Sequence, residues 1–309
     1  MNKLFNYLFN KPNKFFSILW RKVGFWVADE PYLKVQFRLL MGKRLNLMNP
    51  ETFCEKLQWL KLYDRRPEYV TMVDKAAVKE YVAGIIGGDY VIPTLGVWEK
   101  PEDIDWKSLP DQFVLKCTHD SGGLVICRDK AKIDKVAAIK KLSKSLKRNY
   151  YKVWREWPYK EVPRRIIAEE YIEPASNLKD LPDYKWYCFN GEPKYCQVIQ
   201  DRSSKETIDF FDTEWKHQEF IGFNPKAENA EIKPKRPDNL EKQIAIARLL
   251  SQDKPYSRID LYTVGAKIYF GEITLYPMSG MGHIRPEKYD TILGQMIILP
   301  DCVVKKETK

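Results

Sequence analysis

The chain has 309 residues, 44% of them hydrophobic, which allows one large domain or two to three lobes and excludes a disordered chain. A net charge of +10 favours anionic partners. Six scattered cysteines without a CxxC pair read as reduced thiols of a cytosolic protein, three histidines exclude a zinc cluster, and no apolar run is long enough for a membrane-spanning helix.

Residues 1–30, MNKLFNYLFNKPNKFFSILWRKVGFWVADE, mix Phe, Leu and Trp with Lys3, Lys11, Lys14, Arg21 and Lys22. That mixture suits a segment lying on a membrane surface and equally a helix packed on its own domain. Polar residues interrupt it too often for a signal peptide. NPETFCEKLQWLKLYDRR predicts a helix capped at Asn49 or Thr52 ahead of Glu55. TMVDKAAVKEYVAGI predicts a second helix, carrying Lys75 and ended by Gly84, Gly87 and Gly88. YVIPTLGVWE reads as a strand, and DQFVLKCTHDSGGLVICRDK as strand, glycine turn, strand. Residues 131–150 form a basic helix. RRIIAEEYIE is a strand, YKWYCFNGEPKYCQVIQ two arms around Asn190–Gly191, and NLEKQIAIARLLSQ an amphipathic helix. Helices that precede and separate paired strands define an α+β class with mainly antiparallel sheet.

The last pattern, YSRIDLYTVGAKIYFGEITLYPMSG over 256–280, is a hairpin turning at Gly265. Period two puts Arg258, Asp260 and Tyr262 on one face and Ile259 and Leu261 on the other. On the second arm it puts Ile268, Phe270, Glu272 and Thr274 on one face. The hairpin brings Asp260 near Glu272, which suits solvated surface charges and a metal site alike.

Three earlier segments carry chemistry. In HDSGG, Ser121, Gly122 and Gly123 let backbone N–H groups approach phosphate oxygens, and Lys116 adds a point charge. An ordinary hairpin turn is the other reading, since the segment is neither a Walker A motif nor a Rossmann fingerprint. Glu170, Tyr171 and Ile172 end a strand whose backbone can read the edge of adenine. Asp183 and Lys185 share a strand face, where Lys185 reaches phosphates or makes a cross-strand salt bridge. RNYYKVWREWPYKEVPRR reads as a lid or acceptor surface, or as a structural insertion.

In this order, over roughly residues 40 to 300, the segments make the chain resemble the ATP-grasp superfamily. NPETFCEKLQWLKLYDRRPEY, DKAAVKEYV, FVLKCTHDSGG and GEITLYPMSGM are similar to its TupA-like branch, associated with teichuronopeptide and other surface-polysaccharide biosynthesis. The closing stretch is similar to that of D-alanine–D-alanine ligases, which have Arg, Asp, Glu and Asn at the positions of Arg258, Asp260, Glu272 and Thr274. The Thr for Asn is a departure that puts two-metal geometry in question.

The resemblance implies an ATP-grasp fold with the nucleotide between two antiparallel sheet lobes. It implies a helical region over 1–70, a first lobe over 71–112, a nucleotide lobe with insertion over 113–175 and a catalytic lobe over 176–309. Lys75 and Lys116 would contact the α- and β-phosphates under the Gly122–Gly123 loop. Mg2+ would sit on Asp260, Glu272 and Thr274. Arg258 would steady an attacking carboxylate, and N–H groups near Ser279 and Gly280 would form an oxyanion site.

The implied reaction is ATP-dependent carboxylate–amine ligation through an acyl-phosphate. The acid would be a uronic acid of a capsular or other surface glycan or its sugar nucleotide, and the amine an amino acid or similar compound. No nucleic acid is involved. The implied place is the cytoplasm, with residues 1–30 touching the inner face of the membrane as a further option. A glycosyltransferase, for which no clear DxD is present, an ATP-grasp phosphotransferase and a non-catalytic scaffold are the alternatives.

Overall fold

The computed structural model describes residues 10–120, 122–174, 180–200, 206–224 and 227–301. Ser121 of the glycine loop and residues 1–9 of the aromatic N-terminal segment lie outside these. Strands β1 (Thr94–Trp98), β2 (Phe113–Cys117), β3 (Leu124–Cys127) and β4 (Ile166–Glu170) form one antiparallel sheet in the order β1-β4-β2-β3. The second sheet contains β5 (Asp183–Phe189), β6 (Glu192–Gln200), β7 (Thr207–Asp212), β8 (His217–Gln218), β9 (Tyr256–Val264) and β10 (Lys267–Thr274). Its order is β10-β9-β5-β6-β7-β8, also antiparallel throughout. The α+β class with two antiparallel lobes is therefore the observed architecture.

The helices preceding the sheets follow local signals. They are α1 (Pro12–Val23), α2 (Asp29–Met41), α3 (Phe53–Tyr63), α4 (Glu68–Val73) and α5 (Ala77–Ile86). The α3 start is the expected capping box: Thr52 Oγ1 accepts from the Glu55 backbone N–H, and Glu55 reaches back to the Thr52 N–H. The second expected helix is in fact two. Asp74 ends α4 and turns the chain, its Oδ1 accepting from Ala76 N–H at 2.9 Å and its Oδ2 pairing with Arg165 at 2.7 Å. Lys75 N–H donates to the Thr118 carbonyl, so Lys75 lies in the break and not on a helix. Gly84 is inside α5, and Gly87 is its C-cap.

Each sheet has its own core. Phe113, Leu115, Ile166 and Ala168 of the first sheet pack with Leu142 of helix α6 (Lys135–Leu146). Helix α7 (Tyr150–Trp154) follows in the basic aromatic segment. The second sheet buries Trp186, Ile259 and Leu261 under α8 (Leu240–Ser251), with Trp186 Nε1 donating to Gln243 Oε1 at 3.1 Å. Asn190 and Gly191, at φ 50° and 83°, make the tight turn between β5 and β6. That left-handed pair is what an Asn-Gly dipeptide provides at low cost. Helix α9 (Lys288–Met296), near the end, completes the nine among the described residues.

The hairpin differs from strict period two in one place. Phe270 pairs with Leu261, and Glu272 pairs with Asp260, leaving Gly271 as a bulge. The extra residue flips the face. Ile268 and Phe270 are buried in the core, whereas Glu272 and Thr274 stand across from Asp260 and Arg258. The single face expected for Ile268, Phe270, Glu272 and Thr274 is thus two faces.

Candidate active site

One face of the first sheet and Tyr262 of β9 in the second bound a cleft of about 430 Å³. Lys116, Glu169 and the Glu170–Ile172 hinge line it from one lobe, and Tyr262 from the other. Register explains the lining. Val114 and Lys116 stand opposite Glu169 and Ile167, so these four share the face turned from the Phe113, Leu115, Ile166 and Ala168 core. Leu124 and Ile126 add apolar surface for a flat ring.

Behind the apolar part lies a cluster of charge. Glu169, 6% exposed, pairs with Lys116 and Lys79 at 2.5 Å each. Burial pushes the Glu169 carboxyl up, and the two lysines outweigh it, so the net direction is down. Burial lowers Lys79 despite Glu169. Lys75, Lys79, Lys116 and Gly271 line one small recess, which brings Lys75 and Lys116 together. Lys75 Nζ donates to the Asp120 carbonyl at 2.7 Å, at the root of the glycine loop. Asp120 in turn accepts from Gly123 N–H at 3.0 Å and from Ser145. A Cβ on Gly123 would meet Cys117 Sγ and Ser145 Oγ at 2.6 Å, so the loop needs glycine there for packing.

The far wall is the hairpin. Arg258 grips Asp260 with Nε and Nη2, both at 2.7 Å, and Nη2 also reaches Thr274 Oγ1 at 3.0 Å and Glu272 Oε1 at 3.3 Å. Lys185, on β5 beside Asp260, bonds Asp260 Oδ2 and pairs with Asp183 at 2.9 Å. Asp260 is fully buried, which pushes its carboxyl up against the pull of Arg258 and Lys185. Glu272 keeps 41% of its side chain exposed. Desolvation in the cleft works against its charge, but Lys75, Lys185, Arg258 and Lys116 bring its carboxyl down to about 2. Arg258, Asp183, Lys185, Asp260, Glu272 and Thr274 are thus one constellation, and the lysines of the opposite wall act on it.

Ser279 and Gly280 lie beneath that wall in a short turn where Met278, Ser279 and Gly280 all have positive φ. Ser279 N–H donates to the Tyr276 carbonyl at 2.8 Å, so that donor is already engaged. Lys61, fully buried on α3, clamps the turn by donating to Ser279 O at 2.6 Å and Ser279 Oγ at 2.8 Å. Gln58 donates to the carbonyls of Ser279 and Gly280. Burial lowers Lys61 to about 8 and raises its neighbour Glu156 to about 7.

Sequence reasoning missed Lys79, Glu169, Lys61 and Glu156. Only Lys79 left any trace, its spacing of four from Lys75 on the helix expected there, although Lys75 itself lies outside α5 and the spacing is not what brings the two together.

Whether these groups suit Mg2+ turns on which oxygens face the cleft. Both Asp260 oxygens are held by Arg258 and Lys185, whereas Glu272 is partly exposed and meets Arg258 and Thr274 through Oε1, at 3.3 and 3.4 Å. No group of three His, Cys, Asp or Glu able to hold a metal occurs among the described residues. The set fits an ion that takes most of its oxygens from phosphate and water, which is how Mg2+ is commonly held.

Two antiparallel lobes enclosing a cleft with lysines on one wall and an Arg–Asp–Glu set on the other define an ATP-grasp enzyme. The chain belongs to the TupA-like ATP-grasp family, whose model matches residues 55–298. Among solved structures it is similar to D-alanine–D-alanine ligase from Bacillus anthracis, at 16% identity, 73% of this chain, 66% of that one and a TM-score of 0.43. It is similar to the same enzyme from Helicobacter pylori, at 13% identity, 82% and 70% coverage and a TM-score of 0.42. N5-carboxyaminoimidazole ribonucleotide synthetase from Thermus thermophilus is similar at 13% identity, 72% and 51% coverage and a TM-score of 0.40. The chain therefore spans from 51% to 70% of the length of these three proteins. No curated protein sequence matches it as a relative.

Proposed function

We propose that the protein is an ATP-dependent carboxylate–amine ligase, with adenine beside Glu170–Ile172 and the triphosphate directed along Lys116, Lys79 and Lys75 toward Arg258. A substrate carboxylate oxygen attacks the γ-phosphorus, the bond to the β-bridging oxygen breaks, and ADP leaves. The amine nitrogen then attacks the acyl carbon, phosphate leaves with the carboxylate oxygen it received, and the amine gives up a proton. Arg258 steadies the incoming carboxylate, since a guanidinium held by Asp260 is fixed before the substrate arrives. Glu272 and Thr274 would hold Mg2+, with Asp260 joining only where a ligand displaces Arg258 or Lys185; the ion would neutralise phosphate charge.

The acid we propose is a uronic acid of a capsular or other surface glycan, and the amine an amino acid or similar compound. The net charge of +10 supports an anionic acceptor. We take the four-part division at residues 70, 112 and 175 and the cytoplasmic side of a membrane as part of the same proposal.

The observation that carries the reading is the union of Arg258, Asp260, Glu272 and Thr274 on paired strands facing Lys75 and Lys116. The test is phosphate release from ATP, scanned over uronic acids with and without amines, with the product weighed by mass spectrometry. Release that requires both acid and amine, with a product lighter than their sum by one water, is the expected result. Phosphoryl transfer without release would make the protein a phosphotransferase, and indifference to ATP would remove the ligase reading.

A further inference from the structure

Helix α1 is mounted inside out. A helix packed on a domain ordinarily hides its apolar stripe. Here Phe16, Leu19 and Val23, at spacings of three and four, are 47%, 43% and 48% exposed. The turn that follows exposes Phe25 at 53% and Trp26 at 78%. The side facing the protein mixes polar groups with one aromatic. Ser17 is fully buried and accepts from Gln36 Nε2 at 2.9 Å, and Arg21 Nε donates to the Ser17 carbonyl. Trp20 stacks on Tyr32 and donates to its carbonyl at 3.2 Å.

The aromatic turn is held firmly in this exposed position. Arg155, 3% exposed, lies over the Tyr32 ring at 4.1 Å. Its Nη2 donates to the carbonyls of Gly24, Phe25 and Val27 at 3.0, 3.2 and 3.0 Å. Through Arg155 the basic aromatic segment around α7 thus braces the N-terminal surface.

We infer that the Phe16–Leu19–Val23 face with Phe25 and Trp26 is a docking surface for an anionic lipid bilayer. The charge around it selects that occupant. Residues 1–28 contain five Lys or Arg (Lys3, Lys11, Lys14, Arg21 and Lys22) and no Asp or Glu. Lys11, Lys14 and Lys22 are exposed, and Lys152 Nζ sits 5.5 Å from the Phe25 ring centre. Bulky rings and aliphatic groups flanked by lysines are what a helix needs to lie in the headgroup region, with lysines reaching lipid phosphates. The helix, 12 residues long, cannot cross the bilayer, and no described helix is long and apolar enough to do so. It lies on the surface. None of these residues lines the cleft, so lipid binding does not depend on the reaction proposed there.

The test is flotation of the full chain with two kinds of vesicle, pure phosphatidylcholine and a mixture with about one third phosphatidylglycerol. The expected result is binding to the anionic vesicles, weaker as salt rises and at least about tenfold weaker to neutral ones. The combined variant Phe16→Ser, Leu19→Ser, Trp26→Ser touches exposed side chains, so circular dichroism should show an intact fold while vesicle binding falls about tenfold or more. Lys14→Glu with Lys22→Glu should do the same at low salt. Equal binding of the apolar variant and the unaltered chain would overturn the inference. So would equal binding to both vesicles, or a dimer of the unaltered chain that the variant disperses in the absence of vesicle binding.

Discussion

Glu272 lies in the field of four cations, Lys75, Lys185, Arg258 and Lys116, and its carboxyl is held down to about 2 against an ordinary value of 4.5. A depressed value means that the charge stabilises the folded state fully above pH 4.5 and that this contribution is lost as pH falls toward 2. Glu272→Gln keeps the shape and removes the charge. Thermal unfolding followed from pH 6 downward should show a shallower acid loss for the variant, while Mg2+-dependent turnover falls about a hundredfold or more, since under the proposed function Glu272 would hold the metal that offsets phosphate charge. Full turnover in the variant would make the hairpin charges structural only. Glu169 shows where residue-scale reading stops. Glu169 and Glu170 are neighbours on β4, so their side chains leave the strand on opposite faces and only one can point at Lys116 and Lys79. Ile166, Ile167 and Ala168 are all apolar, and alternation gives no phase. Pairing of Lys116 with Ile167 sets the phase and turns Glu169 inward, information that belongs to the partner strand.

At the scale of elements, β10 carries a signal that strict alternation overlooks. An isolated glycine inside a strand pattern marks a bulge or a close backbone approach. Gly271 is both. It carries the register shift, and a Cβ there would meet Tyr262 Cε2 at 2.9 Å and the Asp260 carbonyl at 3.0 Å. Both contacts are on β9, one of them backbone, so Gly271→Ala must spread the hairpin beside the Asp260–Glu272 pair. Overpacking of this kind costs about 1–3 kcal/mol. We expect a lowered Tm together with a fall in turnover. Gly84→Ala is the control: a Cβ there meets nothing within 4 Å, and alanine suits the interior of α5, so neither Tm nor turnover should fall. A Gly271→Ala variant with lowered Tm and unchanged kcat would show that the spacing of β9 and β10 does not matter to the chemistry. The break at Asp74 is hidden for a different reason. TMVDKAAVKEYV has an unbroken helical pattern, and what interrupts it is Arg165, 91 positions away, pairing with Asp74. Local spacing carries no trace of such a partner.

At the scale of the molecule, the two antiparallel lobes and their strand pairs are readable because each hairpin is local. The order of strands within each sheet is not, because β4 pairs with β2 and β1, and β5 with β9, across long stretches of chain. That arrangement has an energetic consequence. Among the described residues the first sheet's core has nine buried side chains and the other is far larger. The smaller lobe gains less from burial and should open more often. Its Lys116 and glycine loop lie where phosphates would bind, so a nucleotide joins the weaker lobe to the stronger. Ligand at a hundred times its Kd adds about 2.7 kcal/mol to whatever opening releases it. Hydrogen exchange followed by mass spectrometry should find amides of β2 and β3 exchanging faster than those of β5 and β9 without nucleotide. MgATP should slow β2, β3 and the loop between them, slow β9 and β10 less, and leave β7 and β8 as they were. Slowing spread evenly over both sheets would mean that the lobes open as one unit, and no slowing at β2 and β3 would take the nucleotide out of this cleft.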